Sequence, residues 1–340
     1  MKRVNNLFKQ VYTFENLLSA YKKARKGTKK NADVNQFSFQ LEKRLLELSL
    51  SIQSGTYQPS RYRYFEIYDP KKRTIAVAPF CDRVVHHAII NMLEPIYEKR
   101  FYDHSYATRK NKGAHKATAQ LRNYLKNNTW YFKTDIEKYF DSINHDILLS
   151  IIAHKIKDKP LLELIEKVIR NNSVAKGLPI GNLTSQFFAN VYLNEFDHFV
   201  KHELKVKYYI RYMDDFIILD NCKLKLQNIR REVKGYLENK LLLYLQENVT
   251  CINRVSSGIN FLGLRIFPNT LRIKNKNLKR VVRKMEARIW LWKNGYMAEN
   301  IFIDSMNSYW AFLSYHGMYN LRRSIIDKSL KRCQTFIITI

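Results

Sequence analysis

The sequence predicts an α+β protein, and three observations carry that expectation. Apolar residues fall at helical spacing up to about residue 55 and again over residues 145–172. The stretches Arg61 to Val77 and Tyr208 to Leu219 alternate, or run aromatic and β-branched, as strands do. After Phe267 the composition changes to a basic amphipathic pattern over residues 275–293.

Composition sets the bounds. A chain of 340 residues that is 46% hydrophobic is ample for a large core, or for two or three subdomains. Lys and Arg number 59 against 30 Asp and Glu, a formal charge of +29. A monomer that basic repels itself unless it meets a polyanion, with nucleic acid the first partner class and an anionic membrane the second. The excess is spread along the chain, which suits a long channel better than one docking patch. Cys81, Cys222, Cys251 and Cys333 form no C-x-x-C pair, which speaks against a zinc knuckle and fits reduced thiols in a cytosolic protein. Met1 to Asn6 lead into no apolar segment of signal-peptide length, and runs such as Phe216 to Leu219 are far too short to span a bilayer. The expectation is a soluble, intracellular protein with no membrane partner.

Taken in order, Leu41, Leu45, Leu46, Leu48 and Ile52 predict a helix. The basic segment from Ala20 to Lys30, with Gly27, reads as a loop against phosphate or as a solvated turn. Tyr62, Tyr64, Glu66 and Tyr68, then Thr74 to Val77, predict two antiparallel strands joined at Asp69-Pro70-Lys71-Lys72. Adjacent His86 and His87 point about 100° apart on a helix, so core or groove positions are expected rather than a metal. Ser105 to His115 is a basic loop with Gly113 ahead of a helix, a plausible phosphate cradle. Gly177, Pro179 and Gly181 imply a tight approach to something before a helix carrying Phe187, Phe188, Val191 and Tyr192.

The chemistry concentrates in two acidic stretches. Tyr209-Ile210-Arg211-Tyr212-Met213-Asp214-Asp215-Phe216 places adjacent carboxylates inside a strand-like run. A strand interior would bury one of them, so a hairpin turn is expected there. That turn is either a surface Asp-Asp turn or an oxygen-rich tip able to hold Mg²⁺. Trp130-Tyr131-Phe132-Lys133-Thr134-Asp135 again runs an aromatic strand into a carboxylate. Two strands of one sheet ending in Asp at the same edge would clamp two metals for an in-line phosphoryl transfer.

These residues carry a family resemblance. Tyr212-Met213-Asp214-Asp215 resembles the hallmark motif of reverse transcriptases, and Asp135 with Phe140 resembles their first palm motif. Further blocks run in order from about Arg73 to about Gly263. They include Asp82-Arg83, then Ser105 to Ala119, then Gly258-Ile259-Asn260-Phe261-Leu262-Gly263. The resemblance implies a right-hand polymerase fold. Residues 1–60 would be an N-terminal helical extension, 61–132 the fingers, 133–265 a palm with a small antiparallel sheet and interleaved fingers helices, and 266–340 a helical thumb. It implies an RNA-directed DNA polymerase in which Asp135, Asp214 and Asp215 are catalytic. With the backbone carbonyl of Ile136 they would hold two Mg²⁺ ions. Lys72, Arg73, Phe140, Ile180 and Gln186 would face the incoming nucleotide, Phe140 as a gate against a 2′-OH or else as a core ring. Arg109, Lys112, Gly113, Gly181, Gly263, Lys276, Arg280 and Arg283 would contact template and primer. The basic face of the predicted helix over 275–293 is a thumb surface or a solvated face.

Most reverse transcriptases read P-Q-G where this chain reads Pro179-Ile180-Gly181, followed by Ser185-Gln186. That variant resembles the enzymes of diversity-generating retroelements, which copy a template RNA into cDNA with errors at adenines. The resemblance implies template RNA, primer or cDNA, and deoxynucleotides as partners, and an accessory variability protein, a basic oligomer, in a bacterial or phage-encoded system. Ile180 is either a contributor to low fidelity or a packing residue. Gln246-Glu247-Asn248 lacks the lysine usual at the end of the next apolar run. Alternatives are a defence-type, retron or group II intron-like reverse transcriptase, the last opposed by the block from Ile180 to Gln186. From another class comes a non-catalytic RNA-binding module. A template-dependent RNA polymerase is disfavoured by the bulky Phe140.

Overall fold

The structure is a computed structural model that describes residues 3–27, 32–68, 71–171 and 175–314, with Arg323 and Ile325. The chain divides into two compact units, residues 1–254 and 255–340.

The first unit opens with helices α1 (Phe8–Val11), α2 (Phe14–Arg25), α3 (Ala32–Phe39) and α4 (Leu41–Gln53). Thr13 caps α2 by accepting a hydrogen bond from the Asn16 amide, as an N-cap threonine should. Helix α4 follows the predicted spacing only in part, burying Leu45 and Ile52 while Leu46 and Leu50 face outward. Strands β1 (Arg63–Ile67) and β2 (Arg73–Val77) form a separate two-stranded sheet with Arg63 opposite Val77. The Asp69-Pro70 part of its predicted turn, and the end of the basic segment from Thr28 to Lys30, lie outside the described residues.

Helix α5 (Phe80–Glu98) is the central post of the unit. Its Val84, Val85, Ala88, Ile89 and Leu93 are buried, and α2 and α10 (Leu183–His198) pack against it. Between them run α6 (Ala114–Leu125), β3 (Trp130–Thr134), α7 (Tyr139–Ser142), α8 (His145–Lys155) and α9 (Lys159–Arg170). Helix α10 buries residues on all sides, including Phe188, Tyr192 and Phe196, which is why its sequence lacks a clean polar stripe.

Strands β4 (Tyr208–Tyr212), β5 (Asp215–Asp220) and, after α11 (Lys223–Lys240), β6 (Cys251–Arg254) complete a four-stranded antiparallel sheet with β3. Its order is β4-β5-β3-β6. The apolar run of β5 is explained by its inner position, which buries Phe216, Ile217, Ile218 and Leu219.

The second unit begins with the antiparallel strands β7 (Ile259–Phe261), β8 (Leu264–Ile266) and β9 (Leu271–Ile273). Helices α12 (Asn275–Lys293) and α13 (Glu299–Ser314) follow, joined by the stacked rings of Trp292 and Phe302 at 4.6 Å. The Gly258–Gly263 block, expected within a palm reaching residue 265, thus belongs to the second unit. Its residues pair in the β7–β8 hairpin rather than with the sheet of β3. Tyr315, Tyr319 and Arg322, expected on a further helix, lie outside the described residues, as does Cys333. Among the described residues no helix is long and apolar enough to cross a membrane.

Candidate active site at the β3 and β4–β5 edge

The register of the sheet places the acidic residues. Tyr212 pairs with Asp215, so β4 and β5 are joined by the two-residue turn Met213-Asp214, with Met213 left-handed at φ +58°. Thr134 pairs with Phe216, so Asp135, the next residue on, leaves β3 at the level of that turn. The two aromatic strands end in acid at one edge because both run there from the same side of the sheet.

The structure brings Asp135 and Asp214 close enough at this edge for the charge of one carboxylate to act on the other. Burial, and then the nearby charge of Asp135, push the Asp214 carboxyl up to about 7. Asp135 is fixed on its other side. Its Oδ1 accepts the Ile136 amide at 3.1 Å, and its backbone carbonyl accepts the Gln246 amide at 2.8 Å. The Glu137 amide donates to the Tyr244 carbonyl at 2.9 Å, so the 244–246 segment clamps the backbone on both sides of Ile136. Ile136 bridges Leu245 in a pair whose hydrogen bonds are made by its neighbours, which turns its own amide and carbonyl away from that segment.

Asp215 is placed differently. As the first residue of β5 it shares a sheet face with Ile217 and Lys133, and its carboxylate is ion-paired with the Lys133 ammonium. Among the described residues no cluster of three or more His, Cys, Asp or Glu side chains is assembled around one point. The expected three-carboxylate set is therefore two neighbouring carboxylates and a third held by a lysine. Two half-buried carboxylates side by side are a hard-oxygen donor set, and a divalent cation fits that chemistry.

The nucleotide-side residues are spread over several elements. Lys72 and Arg73 are exposed at the start of β2, with Lys72 Nζ 2.9 Å from Glu66 Oε1. Phe140 is half-buried on α7, its ring 5.7 Å from that of Tyr139. Ile180 and Gln186 are half-buried before and on α10. The Ile180 carbonyl accepts the Ala76 amide of β2 at 2.8 Å. Gly181, at φ +121°, would place a Cβ 2.7 Å from the Ala76 carbonyl oxygen. The tight approach at Gly181 is thus made to strand β2, and both that approach and the positive φ call for glycine at that position.

In the loop ahead of α6, Arg109 is held within the chain. It pairs with Glu98 at 3.0 Å and donates to the Tyr102 and Ser105 carbonyls at 2.6 and 2.9 Å, with its side chain 5% exposed. Lys112 is likewise held, by Asp103 at 2.6 Å. Gly113 sits at φ +108° as the N-cap of α6. A loop that crosses the surface without a ladder needs internal donors for its carbonyls, and these cations supply them. In the second unit Gly263 is the second residue of the β7–β8 turn at φ +84°, and its carbonyl accepts Asn277 Nδ2 at 3.0 Å. Lys276 and Arg283 are exposed on α12 and Arg280 is half-buried.

Sequence reasoning missed Arg211, Asp197 and Lys133. Arg211 and Asp197 form a fully buried ion pair behind the acidic turn. An arginine inside an otherwise apolar strand was the available signal, since a buried charge implies a buried partner.

The family profile described as "Reverse transcriptase (RNA-dependent DNA polymerase)" matches residues 68–266, more than half of the chain. The chain belongs to this family and carries a reverse transcriptase domain with the right-hand polymerase fold. Protein YkfC of Escherichia coli is 27% identical over 283 residues, covering 69% of this chain and 74% of YkfC. The group II intron-encoded protein LtrA of Lactococcus lactis is 28% identical over 298 residues, covering 66% of this chain and 50% of LtrA. The chain thus spans about half the length of that intron protein. The structure of apo telomerase from Candida tropicalis, truncated from its C-terminal domain, is similar in fold at a TM-score of 0.50. That similarity has 13% identity and covers 64% of this chain and 55% of that one.

Proposed function

We propose that this chain extends a primer along an RNA template by nucleotidyl transfer. The observation that supports this best is the strand register that places Asp135 and Asp214 at one sheet edge, in a chain of the reverse transcriptase family. Asp135 and Asp214 would hold divalent cations, with the Ile136 carbonyl beside them and Asp215 joining once released from Lys133. A divalent cation held there would lower the pKa of the primer 3′-hydroxyl and offset the charge of the triphosphate. The 3′-oxygen, its proton passing to solvent, bonds to the α-phosphorus as the bond to pyrophosphate breaks. Phe140 lies under the sugar and excludes a 2′-hydroxyl. Lys72 and Arg73, exposed at the start of β2, meet the triphosphate, Arg73 through its planar fork. In this reading residues 61–132 act as fingers, the sheet of β3 to β6 as palm, and the second unit as thumb, with Lys276, Arg280 and Arg283 of α12 on the template–primer phosphates.

The subtype reading is that of a diversity-generating retroelement, with errors at template adenines and an accessory basic oligomer. Ile180 in place of a glutamine supports it, because an aliphatic side chain offers no hydrogen bond with which to check the nascent base pair. A second reading, an intron-type reverse transcriptase, is favoured by the similarity to the group II intron-encoded protein LtrA. Copying a defined RNA and sequencing the cDNA separates them, with and without an accessory protein. Adenine-biased errors that fall in Ile180→Gln support the retroelement; faithful cDNA supports the intron type. No cDNA with RNA, Mg²⁺ and accessory protein all supplied would favour a binding module.

A further inference from the structure

Strand alternation directs Tyr209 and Arg211 to the same buried face of β4, where the Arg211 guanidinium is fully enclosed. A guanidinium in an apolar interior gains little over a packed aliphatic side chain, so its presence asks what else it does. Its donors are directed to three places. Nε and Nη2 hold the two oxygens of Asp197 on α10, at 2.7 and 2.5 Å. Nη1 donates to Asn190 Oδ1, also on α10, at 3.2 Å. Nη1 also donates to the Met213 carbonyl at 3.0 Å.

That carbonyl belongs to the peptide unit entering Asp214. Met213 is left-handed at φ +58°, a conformation that an unbranched residue outside glycine adopts only when its surroundings enforce it. The turn bearing Asp214 therefore does not stand on hairpin geometry alone; it is tied to the middle of a long buried helix. The helix is tied onward, since Asn190 Nδ2 donates to the Ala107 carbonyl at 2.9 Å and to Thr108 Oγ1 at 2.8 Å. The Arg211 backbone completes the ring, receiving the Tyr106 amide and donating to the His104 carbonyl, each at 3.0 Å.

We propose that Arg211 is a positioning residue, whose planar guanidinium fixes the Met213 carbonyl against α10 and so sets where the Asp214 carboxylate meets Asp135. The inference rests on the polymerase reading above. Arginine is required because four acceptor oxygens on three residues must be held by one rigid fork; a lysine ammonium balances the Asp197 charge but has no such fork. Misplacing a reacting group by about 1 Å costs roughly 100-fold in rate even when substrates still bind.

The test compares Arg211→Lys, and the milder isosteric Asp197→Asn, with wild type and with Asp158→Ala. The last removes a buried acceptor of the Leu7 and Phe8 amides, remote from the turn, and controls for lost stability. Each protein is assayed for kcat and nucleotide KM in primer extension. Each is also titrated with Mn²⁺ without substrate, bound ion being read by electron paramagnetic resonance. The expected result is a kcat loss of roughly 100-fold in Arg211→Lys, smaller in Asp197→Asn, with KM within about twofold. Mn²⁺ affinity falls in both, whereas Asp158→Ala loses thermal stability and keeps kcat. Folded Arg211→Lys or Asp197→Asn with wild-type kcat and wild-type Mn²⁺ titration overturns the positioning role and leaves a core ion pair. A wild type that makes no cDNA and binds no Mn²⁺ sinks instead the polymerase reading beneath it.

Discussion

Replacing Gly181 by alanine tests how the segment before α10 is joined to strand β2. The added Cβ would lie 2.7 Å from the Ala76 carbonyl oxygen and 2.8 Å from Ile75 Cγ2, closer than packed atoms approach. The segment cannot simply withdraw, because the Ile180 carbonyl holds the Ala76 amide at 2.8 Å. Backbone strain at φ +121° costs about 1–3 kcal/mol, and forced overpacking adds about 1–3 kcal/mol. Gly113→Ala supplies the internal control, since Gly113 has φ +108° but nothing within 4 Å of the built Cβ. It should show the strain alone. Urea unfolding of both variants, at constant m-value, should place Gly181→Ala about 1–3 kcal/mol below Gly113→Ala. Equal losses would refute the close approach to β2 as the reason for glycine.

Three further outcomes follow from the site and its supports. The folded protein holds the Asp214 proton up to about pH 7, whereas its ordinary value is 3.8. In chelator, stability should therefore decline as pH rises through that window, and Asp214→Asn should abolish the decline. Parallel Tm–pH curves for the two proteins would contradict this. Phe140→Val should raise ribonucleotide incorporation roughly 10–100-fold relative to deoxynucleotide, measured as a ratio of kcat/KM values. An unchanged ratio would return Phe140 to the core. Asp82, buried, accepts the Tyr57 hydroxyl at 2.8 Å and the Ser60 amide at 2.9 Å. Asp82→Ala should cost about 2–3 kcal/mol in urea unfolding, and no loss would contradict its anchoring role.

What the sequence disclosed depended on whether a residue's surroundings were local. The strands at Trp130–Thr134 and Tyr208–Asp220 were legible, because aromatic and β-branched runs interrupted by carboxylates fit little else. A hairpin turn at the acidic pair was legible for the same reason, but the expected Asp214-Asp215 turn lies one residue earlier, at Met213-Asp214, and Asp215 opens β5. The pairing of Asp215 with Lys133 was not, since it depends on which face of the sheet each residue takes once β3 and β5 are in register. The pairing of Arg109 with Glu98 was not legible, because a cation in a glycine-containing loop looks the same whether it faces phosphate or a carboxylate of its own chain. Gly181 announced a close approach but not its partner, which lies about a hundred residues earlier on β2. The boundary after Arg254 was hidden because Gly258–Gly263 reads as strand and turn in either unit.

The central claim is that Asp135 and Asp214 together support metal-dependent synthesis of DNA on RNA. Its most direct measurement is single-turnover primer extension on an RNA template in Mg²⁺, with wild type beside Asp135→Asn and Asp214→Asn, all shown folded by circular dichroism. The expected result is cDNA from the wild type, lost on adding chelator, and reduced at least ~1,000-fold in either variant. Extension by a folded Asp214→Asn at a rate near that of the wild type would contradict the claim, whatever the wild type makes.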